Sequence, residues 1–239
     1  MRRALVTGGS GAIGAAVCHE LAAAGHAVLV HAHRHGDAAS AVVAAIVAAG
    51  GRAEPIVFDV TDAEAVAAAL APHLAGDPIQ ILVNNAGFAD DAPLVGMTRA
   101  QWQGVIDVSL HGFFNVTQPL LMPMIRSRWG RIVNIVSVAA LAGHRGQANY
   151  AAAKAGVIAA GKSLAQEVAR KGITVNAVAP GIVDTPMARV AFDEARVREL
   201  VPAQRMGTTQ EIAAVVRFLA SEEASYVSGQ VVSVNGALY

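Results

Sequence analysis

The stretch TGGSGAIG, residues 7–14, follows the short apolar run ALV at 4–6 and leads into an alanine-rich segment with no glycine or proline until Gly25. Strand, glycine turn and helix in that order decide the reading of the fold. Glycines let the backbone turn tightly and approach a ligand closely. A helix start offers free N–H groups and partial positive charge to a pyrophosphate. A glycine loop by itself is weak evidence; its weight comes from its place on the first strand of an alternating pattern.

That alternation runs through the chain. The apolar runs ALVTG, AVLVHA, AEPIVFDV, IQILVNNAG, GRIVNIVSV, ITVNAVAPG and VVSVN read as strands covered on both faces. Helical stretches fall between them near 12–25, 36–50, 62–75, 98–127, 148–171 and 208–221. The pattern predicts an α/β protein: one Rossmann-type domain over 1–239, a doubly wound seven-stranded parallel sheet with helices on both faces. The segment 184–208 breaks the rhythm, is mixed in charge and follows Pro180-Gly181, so a mobile flap over a site is expected there.

Ligands of such sheets sit beyond the carboxyl ends of the strands. The polar residues closing the runs are Thr7, His31 to Arg34, Asp59, Asn84, Asn85, Ser137, and Pro180 with Gly181. About 20 residues past Gly14, where a carboxylate holds the ribose of NAD, the chain reads HAHRHGD. Arg34 offers a guanidinium suited to bidentate pairing with a 2′-phosphate, which favours NADPH/NADP+. Asp37 stands close enough to bind a ribose instead, so NAD stays open.

Composition excludes several classes. Hydrophobic residues make up 54% and charged residues 15%, which argues against disorder. Zero formal net charge argues against nucleic acid or an anionic membrane as the main partner. No apolar stretch approaches the ~18 residues of a membrane span. The single Cys18 allows no internal disulfide and reads as a small buried side chain. With no signal-peptide layout at the N-terminus, the expected setting is the cytoplasm. His31, His33 and His35 alternate along a strand end, but no cysteine or carboxylate cluster joins them at ligand spacing, so no metal is expected.

YAAAK, residues 150–154, places a phenol and an amine at i and i+4, on one helical face, with alanine between. It reads either as a catalytic pair facing a cleft or as an ordinary helix with a surface lysine.

Taken together, these segments resemble the short-chain dehydrogenase/reductases over essentially the whole chain. TGGSGAIG is similar to the family's TGxxxGxG, with Ala12 where a third glycine is common. NNAG at 84–87, Asp59 in FDVTD, PGIVDTPM, and Ser137 thirteen residues before Tyr150 and Lys154 fall in the family's order. The resemblance implies a Ser137–Tyr150–Lys154 set. Tyr150 gives a proton to the substrate oxygen, Lys154 lowers the phenol's pKa and binds the nicotinamide ribose, and Ser137 holds the substrate oxygen. It also implies cofactor contacts from Thr7, Gly8, Gly9, Ser10, Ala12, Ile13 and Gly14, from His33, Arg34, Asp59 and Val60, from Asn85, Ala86 and Gly87, and from Pro180, Gly181, Val183 and Thr185. The family's asparagine in VIDVNL is replaced by Ser109 in VIDVSL. Serine cannot offer an amide pair to a proton-relaying water, so a functioning but slower relay is expected.

Within the family, GHRGQANYAAAKAG, EVARKGITVNAVAPG and YVSGQVVSVNGALY are most similar to the 3-oxoacyl-[acyl-carrier-protein] reductases, and nearly as similar to the acetoacetyl-CoA reductases. The resemblance implies an acidic carrier protein docking on Arg128 and Lys171. Those residues read equally well as solubilising charges at helix ends. Gln147 and the flap would shape the acyl site. Asp90 stands where arginine is common. The broad apolar surface of 98–127 and the family pattern imply a homotetramer. A non-catalytic cofactor-binding subunit remains the alternative from another class.

Overall fold

The computed structural model describes every residue except His35 and Ala75. Seven parallel strands, β1 (Arg3–Val6), β2 (Ala27–Ala32), β3 (Arg52–Val57), β4 (Ile79–Asn84), β5 (Gly130–Ile135), β6 (Ile173–Pro180) and β7 (Val231–Val234), form one sheet in the order β3-β2-β1-β4-β5-β6-β7. The helices are α1 (Ala12–Ala23), α2 (Gly36–Ala48), α3 (Ala63–Leu74), α4 (Arg99–Ile106), α5 (Gly112–Ser127), α6 (Ala139–Ala142), α7 (Ala148–Val168), α8 (Pro186–Ala191), α9 (Glu194–Leu200) and α10 (Thr209–Leu219). Among the described residues, no helix is long and apolar enough to cross a membrane.

Period-two alternation sends successive strand residues to opposite faces. Ala4 and Val6 of β1, with Val28 and Val30 of β2, pack under α1 and α10, while Leu5 and Leu29 belong to the core beneath α3, α5 and α7. The helix starts carry local signals. Thr98 and Gln101 form a capping box on α4, Thr208 and Glu211 another on α10, and Asp193 caps α9. The order of strands reverses at β1, which has β2 on one side and β4 on the other. The crevice beyond these two strands is the topological switch point, where such sheets take their ligands.

Two expectations need correction. The strands are not all covered on both faces. β3 is an edge strand with Arg52, Glu54, Pro55 and Val57 exposed, and only at an edge can Pro55 withhold an N–H without breaking a ladder. The helix expected over 98–127 is interrupted by a π turn at Asp107–His111. Asp107 anchors that turn by accepting from Gln103 at 2.7 Å and pairing with the His111 ring at 2.8 Å. Gly112 then packs so closely that a Cβ would lie 2.9 Å from a Val60 methyl. The segment 184–208, where a flap is expected, follows β6 and precedes α10. It holds α8 and α9, and Val183 bridges to Gly207.

Candidate active site

The glycine loop is shaped by two steric demands. Gly8 adopts φ +62°, a conformation glycine takes without Cβ strain. A Cβ on Gly14 would lie 2.2 Å from the Gly8 carbonyl oxygen, so the helix can begin this close to the turn only with glycine there. The α1 start then presents N–H groups at the switch point. Ala12 is exposed, Ser10 and Ile13 are half-buried, and Gly9 is buried against the Cys18 thiol. Burial pushes that thiol up to about 12, so it stays protonated and inert.

Thr7 and Asn85 fasten the loop to the end of β4. The Thr7 hydroxyl accepts from Asn85 N–H at 2.9 Å and from Ala86 N–H at 3.0 Å. The Asn85 amide donates back to the carbonyls of Thr7 and Gly8. In this structure the side chains of both residues tie the two walls of the crevice together. Asn84 points away into the core, donating to Thr117 and Asn134.

Beyond the ends of β2 and β3, Asp59 accepts from Thr61 N–H and hydroxyl, and its second oxygen pairs with His33 at 3.0 Å. Partial burial works against ionisation, but the Thr61 and His33 interactions hold the carboxyl below its usual value. Arg34 is exposed just past β2. Of the alternating histidines, His31 is buried, His33 serves Asp59 and His35 lies outside the described residues. Among the described residues, no cluster of three His, Cys, Asp or Glu is placed to hold a metal.

The chemistry-bearing groups meet at the carboxyl ends of β4 and β5. Ser137 follows β5 and its hydroxyl accepts from Ala139 N–H at 3.1 Å. Tyr150 and Lys154 stand one turn apart on α7. The fully buried Asn149 fixes the start of that helix, donating to the carbonyls of Asp90 and Gln101 and accepting from Tyr150 N–H. Sequence reasoning passed over Asn149; its place next to Tyr150 was the available signal. Gln147 donates to Asp91 at 2.8 Å.

The Lys154 ammonium is buried and donates to the Ile135 carbonyl at 3.0 Å. Desolvation lowers its pKa to about 8. A Cβ on Gly87 would lie 3.0 Å from that nitrogen and 3.6 Å from the Ser109 hydroxyl, so Gly87 keeps the space before the ammonium open. Ser109 is 5% exposed, and its hydroxyl has no hydrogen-bond partner among the described residues. It lines a narrow crevice together with Thr7, Ala86, Ile135 and Lys154. The expected acidification of Tyr150 is not found in this state. Burial raises the phenol's pKa and the Asp91 charge adds to the rise, while the Ser137 hydroxyl opposes both.

Across the crevice, Pro180 closes β6, and Gly181 approaches the Asn235 backbone so closely that a Cβ would lie 2.8 Å from its Cα. Val183 is buried, and Thr185 caps α8 by accepting from Ala188 N–H. Arg128 and Lys171 lie elsewhere. Arg128 ends α5 in a left-handed conformation and donates to the Arg170 carbonyl at 3.3 Å, so both basic residues precede their strands, at the opposite end of the sheet from Tyr150.

A crevice at the switch point, a glycine loop against a helix start and a buried lysine one turn beyond a tyrosine define a dinucleotide-dependent oxidoreductase site. The short chain dehydrogenase family model matches residues 2–196, and the chain belongs to that family. As such it is an oxidoreductase that uses a nicotinamide cofactor. Two relatives are similar over nearly their full length. The chain is 44% identical to the 3-oxoacyl-[acyl-carrier-protein] reductase FabG of Aggregatibacter actinomycetemcomitans, covering 98% of each. It is 42% identical to nodulation protein G of Rhizobium sp. (strain N33), covering 99% of this chain and 96% of the relative. Among solved structures, a putative gluconate dehydrogenase from Agrobacterium tumefaciens superposes with a TM-score of 0.96 at 34% identity, covering 99% and 95% of the two chains.

Proposed function

We propose that the protein reduces 3-oxoacyl thioesters carried on an acyl carrier protein to 3-hydroxyacyl thioesters, with NADPH as the reductant, in fatty acid or related polyketide or polyene synthesis. The observation that carries this reading is the buried Lys154 behind Gly87, one helical turn beyond Tyr150, in a chain similar end to end to carrier-protein reductases. When bound, the nicotinamide supplies hydride to the carbonyl carbon. The glycine loop and the α1 start fit the pyrophosphate, because Gly8 and Gly14 let the turn close directly onto the helix start and bring its N–H groups to the crevice. Lys154 spends one N–H on Ile135 and keeps two for ribose hydroxyls. Tyr150 gives its proton to the substrate oxygen, and Ser137 donates a hydrogen bond to the same oxygen. A raised phenol pKa keeps Tyr150 protonated at neutral pH, which suits an acid acting in the reductive direction. Exposed Arg34 supports NADPH over NADH.

A homotetramer in the cytoplasm completes the reading. Phe114 and Met122 stay exposed on α5, which supports burial of that helix between copies. The position of Arg128 and Lys171 adds a constraint. α7 separates them from Tyr150 by about 30 Å, from 21 residues at the helical rise. A carrier docked on them serves a site in another subunit.

That same separation favours a second reading, reduction of acetoacetyl-CoA or another small ketone without carrier docking. Steady-state rates on carrier-bound and CoA-bound 3-oxoacyl chains of several lengths, with both nicotinamides, decide between them. Carrier selectivity lost in Arg128→Ala and Lys171→Ala supports the first reading; equal rates on both carriers support the second. Loss of all turnover in Tyr150→Phe excludes a non-catalytic subunit.

A further inference from the structure

His31 closes β2 almost wholly buried, at 1% exposure, and its two ring nitrogens are both engaged. Nε2 lies 2.9 Å from the Phe58 carbonyl oxygen, and Gly8 N–H donates to Nδ1 at 2.9 Å. A carbonyl only accepts, so Nε2 carries the proton and Nδ1 is left as the acceptor; the bonds define one neutral tautomer. Burial holds the ring's pKa down to about 4, with the Phe58 bond and Asp59 working in the opposite direction and His33 in the same one. The ring lies 4.0 Å from Phe58, centroid to centroid. His31 thus joins the first turn of the glycine loop to the segment that carries Asp59.

We propose that His31 is a positioning residue for the dinucleotide, holding Gly8 in its left-handed turn by accepting its N–H and so fixing the pyrophosphate cradle. The inference rests on the nicotinamide reading of the crevice. Gly8 N–H is already committed to His31, so that group does not bind phosphate; the α1 start does. Gly8 in turn receives Gly11 N–H and Asn85 Nδ2 on its carbonyl, so its orientation propagates to both walls of the crevice. A slackened Gly8 weakens cofactor binding and leaves Ser137, Tyr150 and Lys154 untouched.

The variant His31→Phe keeps a ring against Phe58 and removes both hydrogen bonds. Titration of the whole protein with NADPH, followed by nucleotide fluorescence, is expected to show a Kd raised about tenfold, with kcat at saturating NADPH within about twofold of the original. His31→Gln, whose amide accepts and donates, is expected to recover most of the affinity. Nitrogen-15 NMR of the unliganded protein is expected to find the His31 ring neutral at pH 6 with its proton on Nε2. That measurement and His31→Gln decide the matter if His31→Phe does not fold. An unchanged Kd in a folded His31→Phe, or a proton on Nδ1, overturns the role of His31 alone. An original protein that binds neither NADPH nor NADH overturns the cofactor reading and this inference with it.

Discussion

Lys154 Nζ sits 5.7 Å from the centre of the Tyr150 ring, over its face, and donates to the Ile135 carbonyl at 3.0 Å. In this state the ammonium meets the π-face of the ring, and burial rather than the cation sets the direction of the phenol's shift. The lysine itself bears a cost, because it is a buried group with one protein hydrogen bond and a pKa lowered from 10.5 to about 8.

That cost predicts a stability–activity trade. The folded state binds the Lys154 proton less tightly than the unfolded chain. The penalty is therefore fully present below about pH 8 and is relieved as pH rises toward 10.5. Lys154→Met, which keeps the length and removes the charge, is expected to stabilise the cofactor-free protein at pH 7 by roughly 3 kcal/mol while abolishing turnover. Denaturant unfolding of both proteins from pH 7 to 10 checks it. The gap is expected to close with rising pH, and a gap independent of pH refutes the assignment.

Asp91 raises the Tyr150 pKa after burial does. Reduction needs the protonated phenol, so reductive activity falls as pH climbs through that pKa. Asp91→Asn removes the charge and retains an oxygen for Gln147. The fall is expected at lower pH, and the onset of the oxidative reaction moves the same way. Profiles of kcat/KM against pH in both directions measure the shift.

Ser109 predicts two opposite substitutions. Its buried hydroxyl has no hydrogen-bond partner among the described residues, so Ser109→Ala is expected to cost nothing in stability or to gain about 1 kcal/mol. Ser109→Asn projects an amide into the crevice shared with Lys154 and is expected to raise the turnover number and alter its pH profile. An unchanged turnover number and profile in Ser109→Asn would mark the position as structural only.

Arg34→Ala is expected to raise KM for NADPH about tenfold and leave KM for NADH within about twofold, as loss of a charge-assisted phosphate contact requires. If Asp37 binds the ribose instead, Asp37→Ala weakens NADH and Arg34→Ala spares NADPH. Initial rates with each nucleotide distinguish the two.

The sequence by itself determined what depends on neighbours along the chain. Buried strands announced themselves as apolar runs, and the tight turn by the glycines of 7–14. The i, i+4 spacing put Tyr150 and Lys154 on one face. Tertiary structure alone decided that Pro55 lies on an edge, that Asp107–His111 opens into a π turn, and that Thr7 and Asn85 clasp one another across the switch point. It also placed Arg128 and Lys171 at the far end of the sheet and spent both nitrogens of His31 inside the fold. These outcomes turn on partners distant in sequence, and on how much water folding removes from each group, quantities that no local pattern encodes.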